Sequence, residues 1–466
     1  MPPIESDTIC AIATPPGRGG IGIIRISGKD VLALSSTVLG FTPTPRHAYY
    51  CNFLSTDQQT IDQGVAIYFK APHSFTGEDI LELQGHGGVH VLNALLERIV
   101  ALGIRVAGPG EFSERAFLNN KIDLLQAEAI ADLVDASSKQ AAQSAIRTLQ
   151  GEFSSRIHEL VTKLTQTRVN VEAAIDFSDE DINVLSDTGV SQSLEDILEQ
   201  LGMVYEQAHQ GALLKEGMHV VIAGKPNSGK SSLLNALSGI DSAIVTDIPG
   251  TTRDLLKEEI SINGMPVQVL DTAGLRSSDN IVEQEGVKRA HGAIEQADQI
   301  LLVIDSATEE KDVEKLLEPL GLSSVNANIR ESILDRTTLV FNKIDLVPGM
   351  EPNRGRVAFG ESSLQEIHLS AKQITGLGLL REHLQSCIGF RPTGEGIFVA
   401  RERHLTALKS AEKSIKSAAS QVCKDSPLEL VAEHLRLAQR DLGRIIGEFS
   451  SDDLLGEIFS SFCIGK

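Results

Sequence analysis

A single stretch of this 466-residue chain limits its fold more than any other. From Met218 the sequence reads MHVVIAG, an apolar run that predicts a buried strand, and it continues into GKPNSGKS at residues 224–231. That octapeptide matches G-x-x-x-x-G-K-[ST], and the SLLNAL that follows predicts a helix. In such a loop, backbone N–H groups curl around a phosphate, Lys230 reaches the outer phosphates and the Ser231 hydroxyl can bind Mg²⁺. The sequence therefore predicts a nucleotide-binding α/β domain with a parallel sheet.

Three later motifs refine the choice of nucleotide. Asp-Thr-Ala-Gly begins at Asp271 after the strand-like VQVL, Asn-Lys-Ile-Asp ends at Asp345 after TLVF, and Ser-Ala-Lys begins at Ser370. These motifs resemble the signatures of GTPases, which implies that Asp271 supports Mg²⁺, Gly274 senses the γ-phosphate and Asp345 accepts guanine N–H protons. Adenine offers no matching donors, so GTP is expected rather than ATP. The residues expected to contact the nucleotide or its ions are Asn227, Ser228, Gly229, Lys230, Ser231, Ser232, Thr246, Asp247, Ile248, Pro249, Gly250, Thr251, Thr252, Asp271, Thr272, Ala273, Gly274, Asn342, Lys343, Asp345, Ser370 and Ala371.

The sequence does not directly identify the group that positions the water for attack on the γ-phosphate. Leu275 stands where Ras-like GTPases carry the glutamine that orients the attacking water. Because a leucine side chain cannot do this, another group must position the water and offset the charge that develops between the β and γ phosphates. Two candidates are visible: Glu283, and a monovalent cation near Asn227 and the loop at residues 243–254. Spacing alone does not choose between them.

Composition excludes several other classes of protein. The chain carries 42 Lys and Arg against 63 Asp and Glu, a formal charge of −21, so any nucleic-acid contact must be local. Its five cysteines are scattered without ligand spacing, which disfavours a disulfide framework or a zinc site. The sequence has no apolar run of about eighteen residues and no secretory signal pattern. We therefore expect a cytoplasmic protein with no membrane contact.

The pattern of apolar residues, glycines and predicted secondary structure changes three times along the chain. The predicted segments are an α+β domain at 1–120, helices at 121–215, a Ras-like G domain at 216–387 and helices again at 388–466. The first helical segment starts with Asp123 as a predicted N-cap and Gln126 at N3. Both helical segments carry apolar stripes, and packing them together would bury both stripes. The expected fold is therefore multidomain: an N-terminal α+β domain, a central all-α helical domain and an inserted α/β P-loop GTPase domain.

Four longer segments point to a family. They read ATPPGRGGIGIIRISG, LELQGHGG, PGEFSERAFLNNKIDLLQAEAIADL and SSDDLLGEIFSSFCIGK. With them, the chain resembles the MnmE (TrmE) family of tRNA modification GTPases essentially from end to end. The resemblance implies a cytoplasmic homodimer whose N-terminal domains pair and bind 5-formyl-tetrahydrofolate or a related tetrahydrofolate, and whose G domains meet during hydrolysis. It also implies a heterotetramer or larger complex with the flavoprotein MnmG, which would carry FAD, to form an aminomethyl or carboxymethylaminomethyl group at C5 of the wobble uridine of tRNA.

The same resemblance assigns ion ligands and catalytic groups. The positions that match the family's K⁺ site are Asn227, Thr246, Ile248 and Thr251, and those that match its Mg²⁺ ligands are Ser231 and Thr252. A K⁺ ion there would supply positive charge where other GTPases use an arginine finger. Glu283 matches the acid proposed to orient water indirectly, and Lys230 and Arg276 complete the expected catalytic set of the G domain.

The resemblance also implies a folate site. Its expected contacts are Arg25, Glu82, Lys121 and the terminal Lys466. The amide-like donors of a pterin suit Glu82, and the carboxylates of the glutamate tail suit Arg or Lys. Cys463, in the FCIGK tail, matches a reactive cysteine delivered next to the folate. Its other interpretation is a thiol with no task.

Two glycine-rich segments are set aside. Residues 17–22 spell G-x-G-x-x-G, but they precede the strand-like IIRIS, whereas a dinucleotide fold needs a strand and then a helix. Gly85-His86-Gly-Gly88 resembles an esterase oxyanion loop, yet the chain has no G-x-S-x-G elbow. His86 is therefore interpreted as a turn or packing residue.

Two other functions stay open. A regulatory RNA-binding GTPase switch of the Era type would control association alone. Such proteins usually carry a compact basic RNA module, whereas the C-terminal helices here are acidic and a folded domain precedes the GTPase. An autonomous folate-dependent one-carbon transferase would modify its substrate without any partner.

Overall fold

The computed structural model describes most of the chain. The residues described are 7–176, 189–239, 257–262, 264–271, 292–307, 312–320, 327–359, 362–387, 389, 396–423, 427–448, 452–460, 462, 463 and 465. Packing divides the chain into two units. The first unit comprises Met1–Val134, Ile146–Gly202 and Thr406–Lys466, and the second comprises Asp135–Ala145 and Met203–Leu405.

The regular elements alternate between strand-rich and helical stretches. The strands are β1 (Ile9–Ile12), β2 (Gly19–Ser27), β3 (Ala48–Leu54), β4 (Thr60–Phe69), β5 (Ile80–Gly87), β6 (Arg105–Val106), β7 (Met218–Ala223), β8 (Lys257–Ile262), β9 (Met265–Asp271), β10 (Gln299–Asp305), β11 (Thr337–Asn342), β12 (Asn353–Phe359) and β13 (Ser362–His368). The α-helices are α1 (Val31–Leu39), α2 (Val89–Ala101), α3 (Glu111–Leu118), α4 (Leu124–Val134), α5 (Lys139–Leu149), α6 (Glu152–Asp176), α7 (Val190–Glu216), α8 (Lys230–Ser238), α9 (Val313–Leu317), α10 (Ala327–Asp335), α11 (Leu377–Cys387), α12 (Glu402–Cys423), α13 (Leu428–Ile446) and α14 (Asp452–Ser460).

The first unit contains a six-stranded sheet in the order β3-β4-β5-β2-β1-β6. Its neighbouring strands run antiparallel, except that β1 and β6 are parallel. Alternate residues of the central strands, such as Ile24 and Ile26 of β2 and Leu81 and Leu83 of β5, are buried in one core with Leu95 of α2. The intervening residues lie on the other side of the sheet. This alternation puts the polar side chains of β2 and β5 outside the core.

Helices complete the first unit, and their packing follows the apolar stripes of the sequence. Helix α4 begins with the predicted capping box, because Gln126 N–H donates to Asp123 Oδ1 (2.8 Å) and Asp123 N–H donates to Gln126 Oε1 (3.0 Å). Helix α6 packs along α13, where Gln439 accepts from Arg168 (2.7 Å) and donates to Thr165 Oγ1 (3.0 Å). Helices from before and after the segment Met203–Leu405 therefore pack against each other.

The second unit contains a seven-stranded sheet in the order β12-β13-β11-β10-β7-β9-β8. The five strands from β13 to β9 are parallel, and β12 and β8 add antiparallel edges. Strand β7 is buried on both faces: Val220 and Ile222 join one core, and Val221 and Ala223 join the other. Such a doubly covered parallel strand reads as a continuous apolar run, which the sequence from Met218 shows. The carboxyl end of this central strand delivers the glycine-rich loop.

Within the part of the chain that the structure describes, every helix is too short or too polar to cross a bilayer.

Candidate functional site

The phosphate-binding loop depends on two glycines. Gly224 follows β7 with φ +147°, and a Cβ there would lie 2.3 Å from the carbonyl oxygen of Val303. Gly229 ends the loop with φ +98°, and a Cβ there would lie 2.2 Å from Asn342 Nδ2. Any side chain would therefore both strain the backbone and collide with a neighbouring strand. The loop has the close backbone approach that a phosphate cradle needs.

Lys230 begins α8 and is buried within the curve of this loop. Its ammonium group donates to the carbonyl oxygens of Gly224 and Lys225, both at 3.0 Å. The helix that it starts is nine residues long and has no acidic residue in its first turn. A cationic group and a helix N-terminus therefore converge on the loop, and this arrangement fits the phosphates of a nucleotide.

Asn342 connects the phosphate-binding loop to the Ser-Ala-Lys loop that begins at Ser370. It ends β11, is 2% exposed, and donates from Nδ2 to the carbonyl oxygen of Ser228 at 3.1 Å. Its Oδ1 accepts from the backbone N–H of Ala371 at 3.0 Å. One buried side-chain amide thus links three segments that are far apart in sequence.

Lys343 makes a second link between the same regions. Its ammonium group donates to the carbonyl oxygen of Asn227 and to Asp305 Oδ2, both at 2.6 Å. Burial alone would raise the pKa of Asp305, but the hydrogen bonds from Lys343 and the Ala307 N–H together with the charge of Lys343 outweigh it, so the pKa lies below its usual range. Asp305 is not among the residues predicted from the sequence. The available signal was an acid at the carboxyl end of the buried strand β10, beside β7 and β11.

Asp345 is oriented by the Ser-Ala-Lys loop. Ser370 Oγ donates to Asp345 Oδ1 at 2.6 Å, and the same hydroxyl accepts from the backbone N–H of Gln373 at 3.1 Å. Among the described residues, Asp345 Oδ2 has no hydrogen-bond partner. A carboxylate that is fixed through one oxygen can accept the two neighbouring N–H donors of a guanine ring. The structure therefore joins Asn342 to Ala371 and Asp345 to Ser370, and their role in binding guanine stays a prediction.

The expected metal ligands are only partly covered by the structure. Ser231 and Ser232 are exposed in the first turn of α8, and the backbone of Asp271 ends β9 beside Ile222 of β7. Asn227 adopts φ +62° in the loop. The expected site residues that lie outside the described residues are Thr246, Asp247, Ile248, Pro249, Gly250, Thr251, Thr252, Thr272, Ala273, Gly274, Arg276, Glu283 and Lys466.

In the first unit, two of the expected folate contacts are direct neighbours. Arg25 of β2 lies opposite Glu82 of β5, with Nη2 and Nε of Arg25 at 2.9 and 3.0 Å from Glu82 Oε1. The Arg25 guanidinium also lies 5.7 Å from the ring centre of Phe75 and 5.8 Å from that of Phe112. Gln84 Nε2 donates to Glu82 Oε2 at 3.3 Å. The pair is thus a fixed, partly exposed polar site beside two aromatic rings.

Lys121 lies against residues 72–77, the segment before β5. Its ammonium group donates to the carbonyl oxygen of Pro72 at 3.0 Å, and it lines a groove of about 580 Å³ with residues of α6, α13 and α14. No contact joins Lys121 to Arg25 or Glu82 among the residues that the structure describes. The structure therefore joins Arg25 to Glu82 directly, and the assignment of Lys121 to the same site stays a prediction.

The C-terminal tail lies close to the strand next to Arg25. The carbonyl oxygen of Cys463 accepts from Gly110 N–H at 3.4 Å, and its side chain is exposed. A Cβ on Gly465 would lie 2.5 Å from the carbonyl oxygen of Ile12, one residue beyond Ala11, which pairs with Arg25. The tail thus reaches the neighbourhood of the Arg25–Glu82 pair.

A second polar cluster in the first unit was not predicted from the sequence. Arg115, with a side chain 9% exposed, contacts Asp7 (2.9 Å), Glu111 (2.8 Å) and Glu78 (3.2 Å). Arg105 also binds Asp7 (2.8 Å) and Glu111 (2.7 Å). Burial alone would raise the pKa of Glu111, but hydrogen bonds from Arg105, the Gly108 N–H and Arg115 lower it to about 2. The cluster ties the start of the chain to α3.

The strand, loop and helix around Lys230, joined to the Asn342–Asp345 segment, define a P-loop GTPase fold. Comparisons with known proteins identify the family of GTPases. The family model described as "GTP-binding protein TrmE N-terminus" matches residues 8–121, and "MnmE helical domain" matches residues 124–463. The chain belongs to the MnmE (TrmE) family of tRNA modification GTPases.

Relatives named tRNA modification GTPase MnmE match over almost the whole length. The protein from Hydrogenovibrio crunogenus is 54% identical over 464 residues, 99% of each chain. The protein from Yersinia pseudotuberculosis is 53% identical over 462 residues, again 99% of each chain. The protein from Proteus mirabilis is 53% identical over 463 residues, covering 99% of this chain and all of its own.

Proposed function

We propose that this chain hydrolyses GTP in order to drive modification of the wobble uridine of tRNA at C5. It acts in the cytoplasm as a homodimer with the flavoprotein MnmG, which carries FAD, and a tetrahydrofolate supplies the one-carbon unit. The main structural support for GTP binding is the side-chain amide of Asn342, which hydrogen-bonds both to the proposed phosphate-binding loop at Ser228 and to the proposed guanine-binding loop at Ala371. The support for a role in tRNA modification is the membership of the family. The domain boundaries after residues 120, 215 and 387 are part of the same proposal.

Selection of guanine rests on Asp345. Its carboxylate is held by Ser370 and accepts the ring and exocyclic N–H groups of guanine, whereas adenine presents an acceptor where guanine presents its ring N–H. Replacing Asp345 with Asn turns one acceptor into a donor, which matches the extra carbonyl of xanthine. The Asp345→Asn variant is expected to lose GTP hydrolysis at least 100-fold and to gain hydrolysis of xanthosine triphosphate. Equal GTP turnover in wild type and variant would contradict guanine selection by Asp345.

Hydrolysis uses groups at both ends of the phosphate loop. Lys230 would hold the outer phosphates, and Ser231 with Thr252 would hold Mg²⁺, whose charge would stabilise the phosphates. Asn227, Thr246, Ile248 and Thr251 would hold K⁺, which would supply positive charge that Leu275 cannot provide. Glu283 orients the water indirectly, and Arg276 assists on the same segment. Equal turnover in Na⁺ and K⁺ buffers would reject the potassium requirement.

The one-carbon chemistry is assigned to the first unit. Glu82 and Arg25 lie together. Glu82 is assigned to the donors of the pterin, and Arg25, Lys121 and Lys466 are assigned to the carboxylates of the tetrahydrofolate. The exposed side chain of Cys463, on the tail next to β1, acts beside this site. Folate titration of Lys121→Ala tests the assignment of Lys121.

Contact with tRNA is assigned to a basic groove on an otherwise acidic chain. The groove has a volume of about 420 Å³ and is lined by Lys409, Lys413 and Lys416 of α12 and by His434 of α13. Glu412 is also in its wall and pairs with Lys416 at 2.6 Å. Lysine side chains on a helix can follow a phosphate backbone without reading bases. This groove is the local footprint that a chain with a formal charge of −21 requires.

Deleting the gene and measuring tRNA nucleosides by mass spectrometry tests the proposal as a whole. Loss of the C5 modification, rescued by the intact gene but not by Asp271→Ala, is the expected result. Unchanged nucleosides in the deletion strain would reject the proposal and favour the regulatory GTPase switch.

A further inference from the structure

A carboxylate and an imidazole form a hydrogen-bonded pair on two interior strands of the first sheet, β4 and β5, outside the sites described above. Asp62 of β4 accepts from the backbone N–H of His86 of β5 through Oδ2 and contacts His86 Nδ1 through Oδ1, both at 2.7 Å. The side chain of Asp62 is 9% exposed, whereas that of His86 is 72% exposed. The interpretation of His86 as a turn or packing residue is wrong, because the residue lies in a strand and its ring faces solvent.

The backbone around this pair is shaped to admit the carboxylate. A Cβ on Gly85 would lie 2.2 Å from Asp62 Oδ2. The backbone pairing of β4 with β5 extends only as far as Val65 and Gln84, so Asp62 Oδ2 takes the place of the next backbone acceptor. This structural role explains the contact with the His86 N–H. It does not require the second contact with the ring, which holds an exposed side chain in one orientation.

The ring contact determines which nitrogen is available for chemistry. Burial alone would raise the pKa of Asp62, but the hydrogen bonds from the His86 backbone and ring outweigh it and lower the pKa. An ionised carboxylate beside Nδ1 selects the Nδ1–H tautomer, so Nε2 presents its lone pair to solvent. Among the described residues, Nε2 has no partner.

We propose that His86 is an acid–base catalytic residue of the one-carbon chemistry and that Asp62 positions it. The inference rests on the proposed function, in which the first unit holds the one-carbon donor. His86 lies four residues along β5 from Glu82, about 13 Å at the usual rise of a strand. Its substrate class is a protonated amine that must lose a proton before it accepts the one-carbon unit.

The step is a proton transfer and nothing else. The ammonium group gives one proton to His86 Nε2, its nitrogen recovers a lone pair, and the imidazolium that results is balanced by the negative charge of Asp62. No electron changes hands, so no oxidant or reductant is needed. A metal-ligand role fits less well, since no cluster of three or more His, Cys, Asp or Glu side chains occurs among the residues that the structure describes.

The test compares four variants of the full chain in a reconstituted tRNA modification assay with the flavoprotein partner. His86→Gln is expected to lower the modification rate by about 100-fold or more, within the usual range for loss of an acid–base group, and to flatten its pH dependence near neutrality. GTP turnover should stay within twofold of wild type. His90→Gln is the matched control, because His90 is an exposed histidine of α2 four residues away, and it should leave both rates unchanged.

Asp62→Asn separates positioning from folding. The asparagine oxygen can still accept from the His86 backbone, but its NH₂ group favours the opposite ring tautomer, so the rate should fall about 10-fold or more while the circular dichroism spectrum is unchanged. Added imidazole should restore part of the rate to His86→Gly. A His86→Gln protein with the wild-type rate and pH profile would overturn the acid–base role alone. A wild-type protein that modifies no tRNA would overturn the proposed function and this inference with it.

Discussion

The side-chain amide of Asn342 bonds to the backbone of Ser228, which lies 114 residues earlier in the chain, at 3.1 Å. Its other end accepts from Ala371. One buried residue therefore connects the loop at Ser228, which is proposed to bind the phosphates, with the loop at Ala371, which is proposed to bind the base. A buried amide in this position fixes the distance between the phosphate and base subsites before a ligand arrives, which lowers the ordering cost of binding.

Asn342→Ala is expected to weaken GTP binding. The variant leaves the Ser228 carbonyl and the Ala371 N–H without their buried partner, and each such loss costs about 1–3 kcal/mol. We expect the dissociation constant for GTP to rise about 10- to 100-fold, measured with a fluorescent guanine nucleotide. Asn235→Ala, at an exposed position of α8, is the control and should bind within twofold of wild type. Equal affinity in both variants would show that the brace does not organise the site.

Gly229→Ala is expected to abolish nucleotide binding more completely. The new Cβ would lie 2.2 Å from Asn342 Nδ2 at a residue with φ +98°, so either the brace or the loop must move. Gly378→Ala is the matched control, because Gly378 lies in α11, has open space around its Cβ position and gains helix propensity from the change. We expect no detectable nucleotide binding by titration calorimetry for Gly229→Ala and unchanged binding for Gly378→Ala. Retained affinity in Gly229→Ala would mean that the loop tolerates a side chain.

The nucleotide site could be predicted from the sequence because each of its parts is a short contiguous motif at the end of an apolar strand. Lys230, Asn342 and Asp345 are each identified by their immediate neighbours in the chain. Asp305 could not be found in this way, since only the sheet order β11-β10-β7 brings it to Lys343. An acid after a buried strand is common, and the sequence does not state which strands are adjacent.

The first unit was harder to predict for the same physical reason. The pairing of Arg25 with Glu82 joins residues 57 positions apart across two antiparallel strands, and that of Asp62 with His86 joins residues 24 positions apart. Strand register depends on long-range packing rather than on local preference. The resemblance to a family supplied Arg25 and Glu82 but gave no role to Asp62, and the ring of His86 was placed wrongly without the register.

The ion cluster around Glu111 should make the first unit sensitive to acid. Because the pKa of Glu111 in the folded protein is about 2, below its ordinary value of 4.5, its contribution to stability is complete above pH 4.5 and is lost as the pH falls towards 2. The shift corresponds to about 3 kcal/mol. We expect amide hydrogen exchange in residues 105–118 to show an opening free energy that is constant from pH 7 to 5 and falls below pH 4.5.

Glu111→Gln tests the origin of that acid sensitivity. The variant keeps the shape of the side chain but removes the charge that Arg105 and Arg115 share, so exchange at pH 7 should be faster and its acid dependence in residues 105–118 should flatten. Glu97→Gln, at an exposed position of α2, is the control and should keep the wild-type acid dependence. An unchanged pH profile in Glu111→Gln would show that another carboxylate of the cluster causes the acid sensitivity.

Reversing charge in the basic groove should weaken tRNA binding in a salt-dependent way. Lys413 is exposed on α12 in the wall of the groove, and Lys413→Glu replaces an attraction to the phosphate backbone with a repulsion. We expect the affinity for tRNA to fall several-fold in low salt, and the slope of log K against log salt concentration to decrease by about 1 for each phosphate that the variant no longer neutralises. Lys163→Glu makes the same charge change at an exposed position of α6, outside the groove, and therefore corrects for net charge. If affinity and slope fall together in Lys413→Glu alone, the phosphate backbone lies along α12. If both variants bind tRNA equally weakly, the total charge of the chain causes the effect and the groove is not the tRNA-binding surface.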